Sequence, residues 1–120
     1  MKKLSTLLGL CLALAAPSMA LANDYPTKPI RIVLPYAPGG PTDTVARAVA
    51  QQMAKTLDTA IIIDNRPGAG GNIAHAYTAQ GPADGSVILF GSVGPLTIAP
   101  HMMKLPYDPF KDLAPLTMGV

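Results

Sequence analysis

Three glycine-bearing stretches hold the groups in this chain whose types and spacing could do chemistry. They are Tyr36-Ala37-Pro38-Gly39-Gly40-Pro41-Thr42-Asp43, Asn65-Arg66-Pro67-Gly68-Ala69-Gly70-Gly71-Asn72 and Gly91-Ser92-Val93-Gly94-Pro95. The chemistry they suit is capture of an anion. Glycines let main-chain N–H groups approach a ligand closely. A helix N-terminus adds unpaired N–H donors and about half a positive charge. A carboxylate can be held in this way without an arginine, and reversibly, as a carrier requires. The plainer alternative is that these glycines serve only tight turns, which holds more readily for one loop than for three.

Other chemistries fail residue by residue. A phosphate-binding P-loop needs Lys and Ser or Thr after its last glycine, and neither Pro38 to Asp43 nor Gly68 to Ile73 supplies them. The dinucleotide pattern Gly-x-Gly-x-x-Gly starts at Gly68 but reaches Ile73 where the last glycine belongs. The nucleophile elbow Gly-x-Ser-x-Gly fails around Ser92, because Phe90 replaces its first glycine. All acidic residues are aspartates, and Asp58, Asp64, Asp84 and Asp108 sit at turns or strand ends rather than as a catalytic pair. Only His75 and His101 could supply imidazole. They are far apart in sequence and read as loop or surface residues, so no metal site and no cofactor is expected.

The elements that must position these loops alternate. Ile30 to Leu34 is nearly continuous in apolar residues, as a buried parallel strand is. Thr42 to Leu57 follows as a helix, with Val45, Val49, Met53 and Leu57 recurring every four residues beside Ala46 and Ala50. Thr42 is its expected N-cap, and Asp43 falls in the first turn, where negative charge is favoured. Ala60 to Ile63 is a second strand, Asn72 to Gln80 a second helix, and Val87 to Phe90 a third strand. A short helix over Thr97 to Met103, a turn over Tyr107 to Lys111 and an extended segment over Leu113 to Met118 complete the reading. Strand-helix-strand-helix-strand predicts an α/β fold with a doubly wound, mainly parallel sheet. In such sheets the loops after the strands' carboxyl ends form the ligand crevice.

The ends and the charge add a compartment. Lys2 and Lys3 precede an apolar stretch from Leu4 to Ala16, and Ala20-Leu21-Ala22 is a small-x-small cleavage site. Residues 1–22 therefore read as a secretory signal peptide cut before Asn23, which predicts the periplasm. Its apolar core is too short for a comfortable transmembrane helix. Cys11, the single cysteine, lies within it after Leu10, a poor residue for lipoprotein processing. Two of the nine basic residues are Lys2 and Lys3, leaving seven against seven Asp from residue 23 onward. A neutral chain with scattered charges has no electrostatic footprint for nucleic acid.

Five ordered motifs then coincide: Tyr25-Pro26-Thr27-Lys28-Pro29-Ile30-Arg31; Pro38-Gly39-Gly40-Pro41-Thr42-Asp43; Asp64-Asn65-Arg66-Pro67-Gly68-Ala69-Gly70-Gly71-Asn72; Asp84-Gly85; and Leu105-Pro106-Tyr107-Asp108-Pro109. Together they resemble the Bug family, the periplasmic substrate-binding receptors of tripartite tricarboxylate transporters. The resemblance covers essentially all of residues 23–120. It implies a clam-like, type II periplasmic-binding-protein-like fold, monomeric at full length, with no enzymatic activity. It implies a small carboxylate ligand (a tricarboxylate, a dicarboxylate, an acidic amino acid or an aromatic acid) and membrane subunits of the transporter as partners. By position, the anchor would involve Tyr36, Ala37, Gly39, Gly40, Thr42 and Asp43 from the first loop, and Ser92, Gly94 and Thr97 from the third. Gly39, Gly40 and Thr42 would offer amides or a hydroxyl, and Ser92 its hydroxyl or N–H. Asn72 would join them or only cap the second helix. Asp43 would repel a carboxylate, so its side chain is expected to accept loop or helix amides or a water. Arg66 is expected to brace its loop rather than act as counter-ion. Tyr36 stands where phenylalanine is common in the family.

The family is much longer than this chain. Residues 23–120 correspond to the N-terminal part of the first lobe, an incomplete lobe with the second absent. Such a piece is expected to expose a strand edge and an apolar face, to aggregate, and to lack high-affinity binding. A secreted α/β enzyme fragment, a non-functional remnant and a stand-alone interaction module remain as alternatives.

Overall fold

The computed structural model describes residues 25–118. The signal-peptide reading and Cys11 lie outside them. Three strands, β1 (Ile30–Leu34), β2 (Ile61–Asn65) and β3 (Val87–Leu89), form one sheet in the order β2-β1-β3, both pairs parallel. Helix α1 (Pro41–Leu57) joins β1 to β2, and α2 (Asn72–Ala79), entered through a 3₁₀ turn at Ala69–Gly71, joins β2 to β3. After β3 a π-helical turn, Gly94–Ile98, runs into the short α3 (Ala99–Met102).

The strand order explains the two helix layers. From β1 the chain moves one way to β2, then crosses back over β1 to reach β3. With right-handed crossovers the two connections must lie on opposite faces. Accordingly α1 packs on β1 and β2, and α2 on β1 and β3. This is the expected doubly wound α/β arrangement. The central strand is buried except at Arg31: Ile30, Val33 and Leu34 have no exposure and Ile32 has 2%. Ile32 and Leu34 meet Ala46 and Ala50 of α1, with Met53, Ile61, Ile63 and Phe90 around them.

Three expectations need correction. The N-cap of α1 is Gly40, in an extended conformation, with Pro41 at the first helical position; Thr42 lies inside the helix. Proline suits that position because its missing N–H would have had no partner there. The buried stripe of α1 runs through Asp43, Ala46 and Ala50, whereas Val45 is 53% and Val49 42% exposed. The small alanines let the helix approach the sheet closely, and this rotates the valines out of the contact. His75 is fully buried in α2, not at the surface; His101 in α3 is exposed. Leu113 to Met118, expected as an extended segment, forms no helix and joins no sheet. The turn near Tyr107 is present, with the Lys111 and Asp112 amides donating to the Asp108 carbonyl at 3.2 and 2.8 Å.

Candidate functional site

The register brings the three loops to one edge. Leu34 pairs with Asn65 and Val33 with Leu89, so all three strands end together. The sheet reverses its winding between β1 and β3, which is where open α/β sheets bind ligands. A concavity of about 500 Å³ opens at this point. Tyr36 and Thr42 contribute to it from the first loop and α1, Gly70 from the second loop, and Phe90, Gly91, Ser92, Val93, Gly94 and Pro95 from the third.

Gly71 is where the loops touch. It adopts φ +98, and a Cβ built on it would lie 3.1 Å from Pro95 Cγ, 3.2 Å from Pro35 Cβ and 3.4 Å from Ser92 Oγ. All three strand-end loops thus converge on one hydrogen atom's width of space, which only glycine provides.

The first loop is held rigid by Asp43. This buried carboxylate accepts the Gly39 N–H at 3.0 Å, the Arg47 Nε–H at 2.7 Å, an Arg47 guanidinium N–H at 3.1 Å and the Asn65 amide at 3.0 Å. Arg47, then the Gly39 amide and Asn65, hold the Asp43 carboxyl well below the usual carboxylate range. Asn65 also donates to the Tyr36 carbonyl at 3.0 Å, tying the end of β2 to the loop after β1. Asp43 therefore accepts a loop amide, as charge repulsion required. The partners Arg47 and Asn65 were not anticipated: Arg47 lies on α1 outside the glycine loops, and Asn65, though it opens the second loop, had no role assigned to it.

The second loop is braced separately. Arg66 Nε donates to Asp64 at 2.9 Å, and its guanidinium lies 3.5 Å over the Tyr77 ring. Arg31 reaches the same carboxylate at 3.0 Å. Partial burial pushes the Asp64 carboxyl up, but Arg66 and Arg31 outweigh it and lower it on balance. Both guanidiniums are thereby occupied, as the bracing reading of Arg66 anticipated.

The anticipated residues divide accordingly. Tyr36, Thr42, Ser92 and Gly94 line the concavity. Gly39, with φ +88, spends its N–H on Asp43, and Ala37 lies beside it in the same turn without lining the concavity. Gly40 caps α1, its carbonyl accepting the Thr44 N–H at 3.0 Å. Asn72 is the first residue of α2, not its cap; it donates to the Ala69 carbonyl at 2.8 Å and accepts the Tyr107 hydroxyl at 3.0 Å. Thr97 turns back to the Val93 carbonyl at 2.9 Å. Gly70, Phe90, Gly91, Val93 and Pro95 also line the concavity, although none was among the anticipated anchor residues. All five lie in or beside glycine loops, and that adjacency was the available signal.

The free donors gather at the start of α1. Gly40, Thr42 and Asp43 carry N–H groups of the first turn, which have no helical acceptor. Thr42 and Ser92 line the concavity, and their hydroxyls make no hydrogen bond within the described residues. No Lys or Arg is among the lining residues. Among the described residues no group of three His, Cys, Asp or Glu is arranged to hold a metal.

Known proteins resemble this chain in sequence and in fold. Residues 45–119, more than half of the chain, match the tripartite tricarboxylate transporter family receptor. A UPF0065 protein of Bordetella pertussis is 44% identical over 106 residues, covering 86% of this chain and 33% of that protein. A solved structure described as a periplasmic transporter superposes with a TM-score of 0.67 at 39% identity, over 72% of this chain and 30% of that one. MatC from Rhodopseudomonas palustris, with bound malate, gives a TM-score of 0.63 at 40% identity, over 73% of this chain and 30% of that one. The chain spans about a third of the length of the curated relatives it matches. The matching family is a receptor family, and solved relatives at 38–45% identity are described as a periplasmic binding protein and a solute binding protein, so the enzyme-fragment alternative has no support. The chain belongs to the tripartite tricarboxylate transporter receptor family.

Proposed function

We propose that this chain forms the carboxylate-anchoring wall of a periplasmic solute receptor that serves a tripartite tricarboxylate transporter. The ligand is a small carboxylate, and the malate bound by MatC makes a dicarboxylate the first candidate. The observation that carries this is the convergence of three strand-end loops on a concavity with free backbone N–H groups and two unpartnered hydroxyls, but no cationic side chain. A carboxylate at the start of α1 gains from the helix dipole, by about 0.3–1 kcal/mol and up to about 2 where partly buried. The hydroxyls of Thr42 and Ser92 add charge-assisted hydrogen bonds. The bound malate of MatC gives the ligand class its chemical precedent.

Export of the chain follows from residues 1–22 acting as a signal peptide cleaved after Ala22, with residues 23–120 as part of the first lobe. The partners are then the membrane subunits of the transporter, and the full-length receptor works as a monomer. Calorimetric titration of the full-length receptor with malate, succinate and citrate tests the reading. Ser92→Ala and Thr42→Val each remove one hydrogen bond to a charged group, worth about 1.5–3 kcal/mol, which is roughly ten- to a hundredfold in affinity. Affinity for all three acids unchanged in both variants would refute the anchor.

A further inference from the structure

Buried deepest behind the concavity is a titratable side chain with no part in the anchor described above. His75 has no solvent exposure, and it stands between the second and third loops. Its Nδ1 lies 2.9 Å from the Gly71 carbonyl, and its Nε2 lies 3.4 Å from the Ser92 amide nitrogen. A carbonyl can only accept and an amide N–H can only donate. The ring must therefore carry its hydrogen on Nδ1 and present a lone pair at Nε2. Either alternative protonation leaves a buried donor facing the Ser92 N–H.

We infer that His75 is the positioning residue of this site: its Nε2 takes up the Ser92 amide, so the Ser92 hydroxyl is the group left for the ligand. The inference rests on the proposed anchor and refines it by choosing between the two groups that Ser92 could offer. The surroundings support the neutral ring. Tyr107 stacks on it at 6.3 Å between centroids and 28° between planes, and Gly91 approaches its Nε2 closely enough that a Cβ there would lie at 3.4 Å. Among the described residues no carboxylate, lysine or arginine pairs with it; the facing groups are the Tyr107 ring and the backbone of Gly71, Gly91 and Ser92. Burial pushes the imidazole below its ordinary 6.5, outweighing the two backbone contacts.

The test compares two amide replacements. In His75→Gln the side-chain oxygen reaches towards the Nε2 position and can accept the Ser92 N–H. In His75→Asn the shorter side chain can replace only the Nδ1–H donor to Gly71. The first readout needs no ligand: ring ¹⁵N shifts of the wild-type protein, and hydrogen exchange of the Ser92 amide in all three proteins. The expected result is an unprotonated Nε2, with the Ser92 amide protected in wild type and His75→Gln and at least tenfold faster in His75→Asn. The second readout is malate affinity: about tenfold weaker in His75→Asn, within about threefold of wild type in His75→Gln. A protonated Nε2, or equal amide exchange in the two variants, overturns the inference. So do malate affinities that fall together in step with the two melting temperatures. If the full-length receptor binds no malate, succinate or citrate, the anchor reading fails, while the exchange and ¹⁵N measurements still decide the role of His75.

Discussion

Gly71→Ala separates packing from backbone conformation at the point where the loops meet. At φ +98 an L-residue pays the left-handed penalty, roughly 1–2 kcal/mol. Its methyl would also press on Pro95 at 3.1 Å and Pro35 at 3.2 Å, and sit 3.4 Å from Ser92 Oγ. The two contacts are with proline ring atoms that cannot swing aside, so an overpacking cost of about 1–3 kcal/mol is added. The sum, about 2–5 kcal/mol, is a large fraction of the roughly 5–15 kcal/mol that holds a typical domain. Gly70→Ala is the internal control. Gly70 also has positive φ, +63, but nothing lies within 4 Å of its added Cβ, so it carries the conformational cost alone. Urea unfolding of the two variants should differ by about 1–3 kcal/mol. In a thermal melt that is roughly 4–8 °C per kcal/mol for a domain this small. The loops should also splay in Gly71→Ala, weakening malate binding beyond the stability change. If Gly71→Ala is no less stable than Gly70→Ala, the three loops do not meet at Gly71 as described.

Other perturbations test the bracing around the site. Asn65→Ala removes the ties to the Tyr36 carbonyl and the Asp43 carboxylate; at about 0.5–1.5 kcal/mol for each hydrogen bond, urea unfolding should register a loss of roughly 1–3 kcal/mol. Tyr107→Phe leaves the Pro95 carbonyl and Asn72 without the phenolic donor, and should cost about 1–2 kcal/mol in the same assay. Because Asp43 titrates below its ordinary 3.8 in the folded state, its contribution is intact above that pH and is lost as pH falls below it. Asp43→Asn should therefore flatten the acid limb of a stability-versus-pH curve; an unchanged limb would assign acid unfolding to other carboxylates. His75 acts in a separate window. Its folded-state pKa is lowered, so the unfolded chain binds the proton more readily, and stability should fall as pH drops below 6.5. That step should vanish in His75→Gln when unfolding is followed from pH 8 to pH 5.

The loops and their order are legible in the amino-acid sequence, because local rules govern them. Glycine and proline punctuate strand ends, and mainly apolar runs of four or five residues between them read as buried strands. Alternating strands and helices then lead to a parallel, doubly wound sheet, and from there to loops gathered at one edge. The rest depends on which residues face one another across long stretches of chain. Val45 and Val49 fit a helical repeat as well as Ala46 and Ala50 do. Close approach to Ile32 and Leu34 favours the small side chains, and no count along the helix reveals that. His75 has nothing in its neighbours to mark it as buried. It becomes so because α2 crosses beneath the loop at Ser92, 17 positions later in the chain.

By itself, the sequence determined the order of elements, the placement of glycine at strand ends and the absence of nucleotide and nucleophile motifs, since each depends on neighbouring residues alone. Only the tertiary structure decided how the groups divide. Asp43, Arg47 and Asn65 became a buried brace, and the Gly39 amide was consumed within it. Thr42 and Ser92 were left lining the concavity. The physical reason is that a polar group's availability is set by whether another part of the chain has already satisfied it. Here the satisfying partners arrive from loops that folding alone brings together.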